Sequence, residues 1–281
     1  ITVAQWAETW QETWEVDEAS ADAYRTRLNS VILPYWGSWA MGDIGTSAYL
    51  VWRKEIRARY SANYCRGIEM VMRMLLDDAA EEKLIGSNPM PSSKRRRRGK
   101  YEAEDAEDDY VFPESPLQAL LVAENARIVR GLVGEAFVLT KAFTGMRLAE
   151  LVGLRREFAW VGRDRDPWDQ WIRVEWQGAH ARGGFALKPP KYGSRRTIIL
   201  PPFLGELLAE VLKSHDTEYV FPSVRGKPLR TDNQFYGYFW HPIVDGHPEL
   251  PQVRGRRYRP ELPAVPGLSG MVPHGLRHGH R

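Results

Sequence analysis

Between Asn88 and Pro113 the chain reads NPMPSSKRRRRGKYEAEDAEDDYVFP, and no other stretch constrains the fold as much. Six basic residues fall between Lys94 and Lys100, six acidic ones between Glu102 and Asp109, and neither run has hydrophobic periodicity. About 20 residues of this kind make a linker rather than a buried loop, reaching up to roughly 70 Å if extended. The 281 residues are therefore read as a domain over 1–89, a charged linker over 90–112 and a second domain over 113–281.

Hydrophobic residues make up 43% of the chain, enough for packed interiors, and no run approaches the ~18 apolar residues of a membrane span. There is no secretory signal pattern, and the opening residue is Ile1 rather than Met, which reads as a segment of a longer chain. Cys65 is the single cysteine, so internal disulfides and cysteine-rich zinc sites are excluded, and a reducing, cytoplasmic setting is the simplest reading. The formal charge of +3 says little, but 30 of the 39 basic residues are Arg. Arg forks match phosphate oxygens in pairs, which suits a nucleic-acid partner; a GC-rich genome gives the same bias through codon usage.

Residues 1–89 read as a bundle of four or five short helices. In YCRGIEMVMRMLLDDAAEEKLIG, Ile68, Val71, Met72, Leu75, Leu76 and Ala79 keep helical spacing, with Gly86 as the stop and Pro89 blocking continuation. Trp6, Trp10 and Trp14 mark one face of a first helix, either core or a base-stacking surface, with core preferred. ILPYWG, Ile32 to Gly37, is expected to end a second helix. Past Val111, SPLQALLVAENARIV, GEAFVLTKAF, RLAELVGL and PPFLGELLAEVL read as helices, whereas QWIRVEW and RRTIIL alternate like strands. PPKYGSRR reads as a hairpin turn, and REFAWVGRDRDPWDQW as an extended turn or insertion. The expected class is mainly α: a helical bundle, then a mostly helical α+β domain with a small antiparallel sheet.

Three basic groups stand out in the second half. Arg147 lies near the start of a buried helix in TGMRLAELVGL, with Glu150 three residues on and on the same face. An ordinary surface ion pair is one reading, but an Arg beside a core-facing stripe needs fixed acceptors. Lys191 sits at the expected hairpin tip. Pro273 fits a first helical turn, which makes His274 and Arg277 i, i+3 neighbours with His278 next.

In order and type these groups resemble the tyrosine recombinases of the phage integrase family, and the similarity spans essentially the whole chain. The family's TG-x-R-x-x-E-[LI] segment is matched by Thr144, Gly145, Arg147, Glu150 and Leu151. Its PK…S-x-R-x-I/V-x-L-P segment is matched by Pro190, Lys191, Ser194, Arg196, Ile198, Leu200 and Pro201, and its His-x-x-Arg-His box by His274, Arg277 and His278. YRTRLNSVILPYWGSWAMGDI and the 63–90 stretch resemble the family's core-binding domain, a SAM-like helical bundle.

The resemblance implies a reaction in which a Tyr hydroxyl attacks a DNA phosphodiester, giving a 3′-phosphotyrosyl intermediate and a free 5′ hydroxyl. Preorganised cations favour its transition state, which carries added negative charge. On this reading Arg147 and Arg277 clamp the nonbridging oxygens, His274 adds a hydrogen bond, and Lys191 protonates the leaving oxygen. Lys188 is the alternative acid, with Lys191 preferred for its place just ahead of Ser-x-Arg. Glu150 orients Arg147 or the neighbouring backbone, and His278 supports. No cofactor or metal is called for; His274, His278 and His280 as a zinc set lack a neighbouring carboxylate or Cys.

DNA contacts are expected from Lys94, Arg95, Arg96, Arg97 and Arg98, from Arg195 and Arg196, and from Arg254, Arg256 and Arg257 in VRGRRYRP. A solvated linker or loop is the competing reading for the first and last groups. The implied partners are double-stranded attachment sites, a homotetramer on two sites and an accessory directionality factor. In the family the nucleophilic Tyr follows the His-x-x-Arg box, yet only four residues follow Arg277 and none is Tyr. This polypeptide is therefore expected to bind DNA without cleaving it. The enzyme expected is a site-specific integrase of a phage or mobile element; the alternative is a noncatalytic DNA-binding clamp derived from a decayed recombinase.

Overall fold

The structure, a computed structural model, describes residues 1–91, 111–162, 166, 168–181, 184–253 and 258–278, the side chains of Ala181 and His278 excepted. Residues 92–110 of the charged stretch thus lie outside the described residues. The chain forms two compact units, Ile1–Glu102 and Ala103–Arg281.

In the first unit, α1 (Val3–Glu12) is opened by a reciprocal cap: Thr2 Oγ1 accepts from Gln5 N while Gln5 Oε1 accepts from Thr2 N. Asp17 caps α2 (Glu18–Arg27) through the Ala19 and Ser20 amides. The second helix ends inside Ile32–Gly37 as expected, with Trp36 its last helical residue and Gly37 its cap. A π turn over Leu28–Ile32 carries the helix into α3 (Leu33–Trp36), and Pro34, which has no N–H to donate, sits just past that turn. Helices α4 (Thr46–Arg59) and α5 (Ala62–Glu81) complete the bundle.

The α5 stripe from Ile68 to Ala79 is fully buried and meets the tryptophan face of α1. Trp6 Nε1 donates to the Leu75 carbonyl at 3.0 Å, Trp10 Nε1 donates to Asp78, and Trp14 packs edge-on against Trp10. That face is core. The stop of α5 is Lys83 rather than Gly86. Lys83 takes the left-handed φ of 60°, and the Lys83 and Leu84 amides bond back to Ala80 and Ala79.

The second unit is built round α6 (Pro116–Thr144), a run that breaks at Gly131, where φ is 62° and ψ −153°. Its second half is buried from Ala136 to Lys141. After α7 (Leu148–Val152), strands β1 (Ala159–Trp160), β2 (Trp171–Val174) and β5 (Arg196–Ile199) form an antiparallel sheet in the order β1-β2-β5. The register pairs Trp171 with Ile199 and Val174 with Arg196. Part of the expected 156–171 insertion is therefore strand β1, although residues 163–165 and 167 are outside the described set.

A separate hairpin, β3 (Gln177–Ala181) with β4 (Gly184–Lys188), pairs from Gln177↔Lys188 to Ala181↔Gly184. This corrects the reading of PPKYGSRR: that segment is not a hairpin turn but the link between β4 and β5, which belong to different sheets. The hairpin lies against α7 through two glycines. A Cβ on Gly153 would meet Gly178 N at 2.6 Å, and one on Gly178 would meet Val152 and Phe185. The remaining helices close on α6: α8 (Pro202–Lys213), α9 (Asn233–Phe235) running through a π turn into α10 (His241–Asp245), and α11 (Gly275–His278). Asn125 Nδ2 donates to the carbonyls of Ile243 and Pro263, and Trp240 Nε1 to that of Met271. The result is mainly α with small antiparallel sheets.

Candidate functional site

The site grows out of the end of α6. Gly145 takes a left-handed φ of 61° as its cap, donating to the Lys141 carbonyl at 3.2 Å. Thr144 Oγ1 donates to Thr140 O, and the Met146 carbonyl accepts from Lys141 Nζ at 2.9 Å. Held on both sides, the turn delivers Arg147 to the N-cap of α7.

Glu150, one turn into α7, is 1% exposed. Its carboxylate accepts from Arg147 N at 2.9 Å and Arg147 Nη1 at 2.8 Å, and from Arg196 Nη2 at 2.8 Å. Burial works against its charge, but the hydrogen bonds from Arg196 and Arg147 prevail and hold the carboxyl below its usual range. Arg196 reaches it because side chains on a strand alternate: Arg196 and Ile198 face inward on β5, Thr197 and Ile199 outward. Arg147 Nη1 also donates to Ser194 Oγ at 3.1 Å, tying α7 to the segment ahead of β5. With two cations on one carboxylate, the cluster keeps a net positive charge, and the Arg147 and Arg196 side chains stay 28% and 32% exposed.

Lys191 is exposed on a short 3₁₀ turn, Lys191–Gly193, three residues before Ser194; Tyr192 beside it is 95% exposed with φ 60°. Lys188 is half-buried on β4, opposite Gln177. His274 stands exposed just before α11, and its carbonyl accepts from Arg277 N at 3.0 Å. The helix starts at Gly275, so Pro273 lies before its first turn rather than in it. Arg277 is half-buried and close enough to Lys141 to depress its proton affinity. The structure thus brings Arg147, Glu150, Ser194, Arg196 and Arg277 to the end of α6.

Other expected contacts fare differently. Arg195 is tied to Glu175 at 2.9 Å, and Arg196 pairs with Glu150 at 2.8 Å while its side chain stays about a third exposed. Lys94, Arg95, Arg96, Arg97 and Arg98, together with Arg254, Arg256, Arg257 and His280, lie outside the described residues, as does the side chain of His278. Among the described residues no group of three His, Cys, Asp or Glu could hold a metal, and no helix is long and apolar enough to cross a membrane.

Two features escaped the sequence reading. Lys141 is 0% exposed; its signal was a single cation inside the apolar run GEAFVLTKAF. In the first unit, Arg27, Ser61, Asn63, Tyr64, Arg66 and Gly67 line an open groove of about 440 Å³. The Arg27 guanidinium lies 5.6 Å from the Tyr64 ring centre, and a Cβ on Gly67 would stand 2.5 Å from its Nε. Two arginines, two hydrogen-bonding side chains and an aromatic ring at a helix start suit a phosphate backbone. Arg27 is the last residue of α2 and Gly67 lies in α5, so sequence spacing does not announce their meeting.

No protein-family model matches the chain, and no curated protein matches its sequence. Solved structures do. The Tn1549 transposon integrase in complex with transposon right end DNA superimposes with a TM-score of 0.75 at 16% identity, covering 100% of this chain and 85% of that one. A lambda integrase dimer bound to a COC′ core site gives 0.64 at 14%, with 100% and 88% covered. A lambda integrase tetramer bound to a Holliday junction also gives 0.64 at 14%, with 100% and 69% covered. The chain has the fold of these integrases.

Proposed function

We propose that a chain with this integrase fold and this arginine cluster serves a site-specific DNA recombinase of the tyrosine type, integrating a phage or mobile element in the cytoplasm. The observation that carries the reading is Glu150: a buried carboxylate bracing Arg147 and Arg196, with Arg277 nearby. Bracing of this kind removes the rotamer freedom a long cation would otherwise lose on meeting a phosphate.

In the proposed reaction a Tyr oxygen forms a bond to phosphorus at the scissile phosphodiester and the bond to the 5′ oxygen breaks. The Tyr proton is lost on attack and the departing oxygen takes one up. Arg147 and Arg277 neutralise the nonbridging oxygens as charge builds, and His274 adds a donor. Lys191, on an exposed turn linked to Arg147 through Ser194, supplies the proton to the 5′ oxygen, with Lys188 as the alternative. Glu150 holds Arg147 and does not react. The partners are double-stranded attachment sites, met by four protomers on two sites, together with an accessory directionality factor. The Arg27 groove of the first unit takes a backbone phosphate.

The test uses the protein as its own gene makes it, incubated with a nicked duplex carrying its attachment core and then denatured. A covalent protein–DNA adduct, lost in Arg147→Ala and in Arg277→Ala, is the expected result. Tight binding to a verified core with no adduct would reduce the protein to a DNA-binding clamp. Affinity should fall steeply with salt, and Arg147→Ala should reduce the slope by about one.

A further inference from the structure

Lys141 is a basic side chain with no place in that reaction, and its surroundings are unusual for one. It sits in the buried half of α6 between Thr140 and Ala142, with Phe137 and Val138 one turn back, and is itself 0% exposed. Leu or Met would fill such a position without removing a charge from water, so the ammonium is held at a cost. Nζ donates to the Met146 carbonyl at 2.9 Å, and the next residue in the chain is Arg147.

We propose that Lys141 is a positioning residue for the phosphate pocket: it pins the turn that presents Arg147, and its buried ammonium adds positive potential behind Arg147 and Arg277. The inference rests on the recombinase reading, since it assigns the pocket's ligand as a phosphodiester anion. Three influences act on the charge of Lys141. Burial lowers its proton affinity most, Arg277 of α11 lowers it further, and Glu150 of α7 raises it, leaving the group at about 8. Glu150 in turn is bonded to Arg147 and to Arg196 of β5. A phosphate bound between the arginines offsets the repulsion from Arg277. Linkage then works both ways: the anion raises the proton affinity of Lys141, and protonated Lys141 raises affinity for the anion.

A lysine that only capped the turn would lack that second property, and the experiment turns on it. The lysine side chains of the 281-residue protein are labelled and followed by NMR across pH 6.5–11, the Lys141 signal being the one missing in Lys141→Met. Duplex DNA is then added to saturation, with fluorescence anisotropy recording binding independently. Titration of free Lys141 near pH 8 is expected, its midpoint rising to about pH 9 on DNA and also rising in Arg277→Ala. Wild-type affinity should fall about tenfold more than that of Lys141→Met between pH 7 and 10, because a tenfold gain in proton affinity on binding is matched by a tenfold gain in DNA affinity on protonation. An ordinary Lys titration in the free protein overturns the proposal. So does DNA binding seen by anisotropy with the Lys141 titration unmoved, and that outcome leaves the recombinase reading standing. If no duplex binds at all, the recombinase reading fails, and inorganic phosphate decides for Lys141: a rise supports a charge coupled to an anion pocket, and no rise overturns it.

Discussion

The two units bury different things. The first gathers Trp6, Trp10, Trp36 and Trp52 into one core with the apolar stripe of α5, and the indoles of Trp6 and Trp10 find acceptors on that helix. The second has an apolar core too, but beside it buries Glu150 and Lys141 and half-buries Arg147, Arg196 and Arg277. Apolar burial stabilises in proportion to area, whereas buried charge seldom stabilises more than a well-packed apolar replacement. The tryptophan core of the first unit thus stabilises by area, whereas the end of α6 holds charge at a cost. Substitutions should separate the two.

The largest effect belongs to Trp10→Ala. Trp10 is 1% exposed, and removing it forfeits packing with Trp14 along with the bond to Asp78. A loss of about 3–5 kcal/mol is expected in denaturant unfolding of the first unit. The arginine cluster of the second unit should be unaffected, as judged by the Lys141 titration.

Glu150→Gln comes next. It leaves Arg147 and Arg196 facing a neutral amide; breaking such a pair costs about 2–4 kcal/mol, reduced here because both guanidinium groups are about a third exposed. The pH dependence has a fixed sign. The native carboxyl is held below its ordinary 4.5, so its stabilisation is complete above that value and is lost as pH falls beneath it. Glu150→Gln should therefore flatten the acid limb of a stability–pH curve for the second unit.

Lys141→Met is smaller and opposite in direction. The native group titrates near 8 against an ordinary 10.5, so the unfolded chain holds more protons between those values and wild-type stability rises with pH through that window. At pH 7 the charged group costs about 3 kcal/mol, set against about 1 for the lost hydrogen bond. The variant should gain about 2 kcal/mol at pH 7, and the gain should shrink toward pH 10.5. A pH series of thermal melts checks it.

Much of this contrast was legible in the sequence, and the rest was not for identifiable reasons. The α5 stripe and the TGMRLAEL segment are local patterns, in which spacing alone settles which residues share a face. Strand partners are nonlocal: nothing in PPKYGSRR says that β4 and β5 enter different sheets. QGAHARGGFALK hid a hairpin because small residues replaced the usual alternation; Gly178 is there to let Val152 and Phe185 approach. Glu150 could be matched to Arg147 at i, i+3, but its second partner, Arg196, lies 46 residues away. Lys141 read as part of a helix because its acceptor belongs to the turn beyond it.

The smallest effect concerns how the two units stop a helix. Both α5 and α6 end on a left-handed residue, Lys83 in one and Gly145 in the other. A side chain in that conformation costs about 1 kcal/mol relative to glycine. Lys83→Gly should accordingly stabilise the first unit by up to about 1 kcal/mol in denaturant melts, since the stop serves only the bundle. Gly145→Ala puts the same strain where the chain turns toward Arg147, so a stability loss of about 1 kcal/mol should come with weakened DNA affinity. If Gly145→Ala melts earlier but binds DNA unchanged, the turn tolerates displacement, and the contrast between a structural stop and a site-forming one is lost.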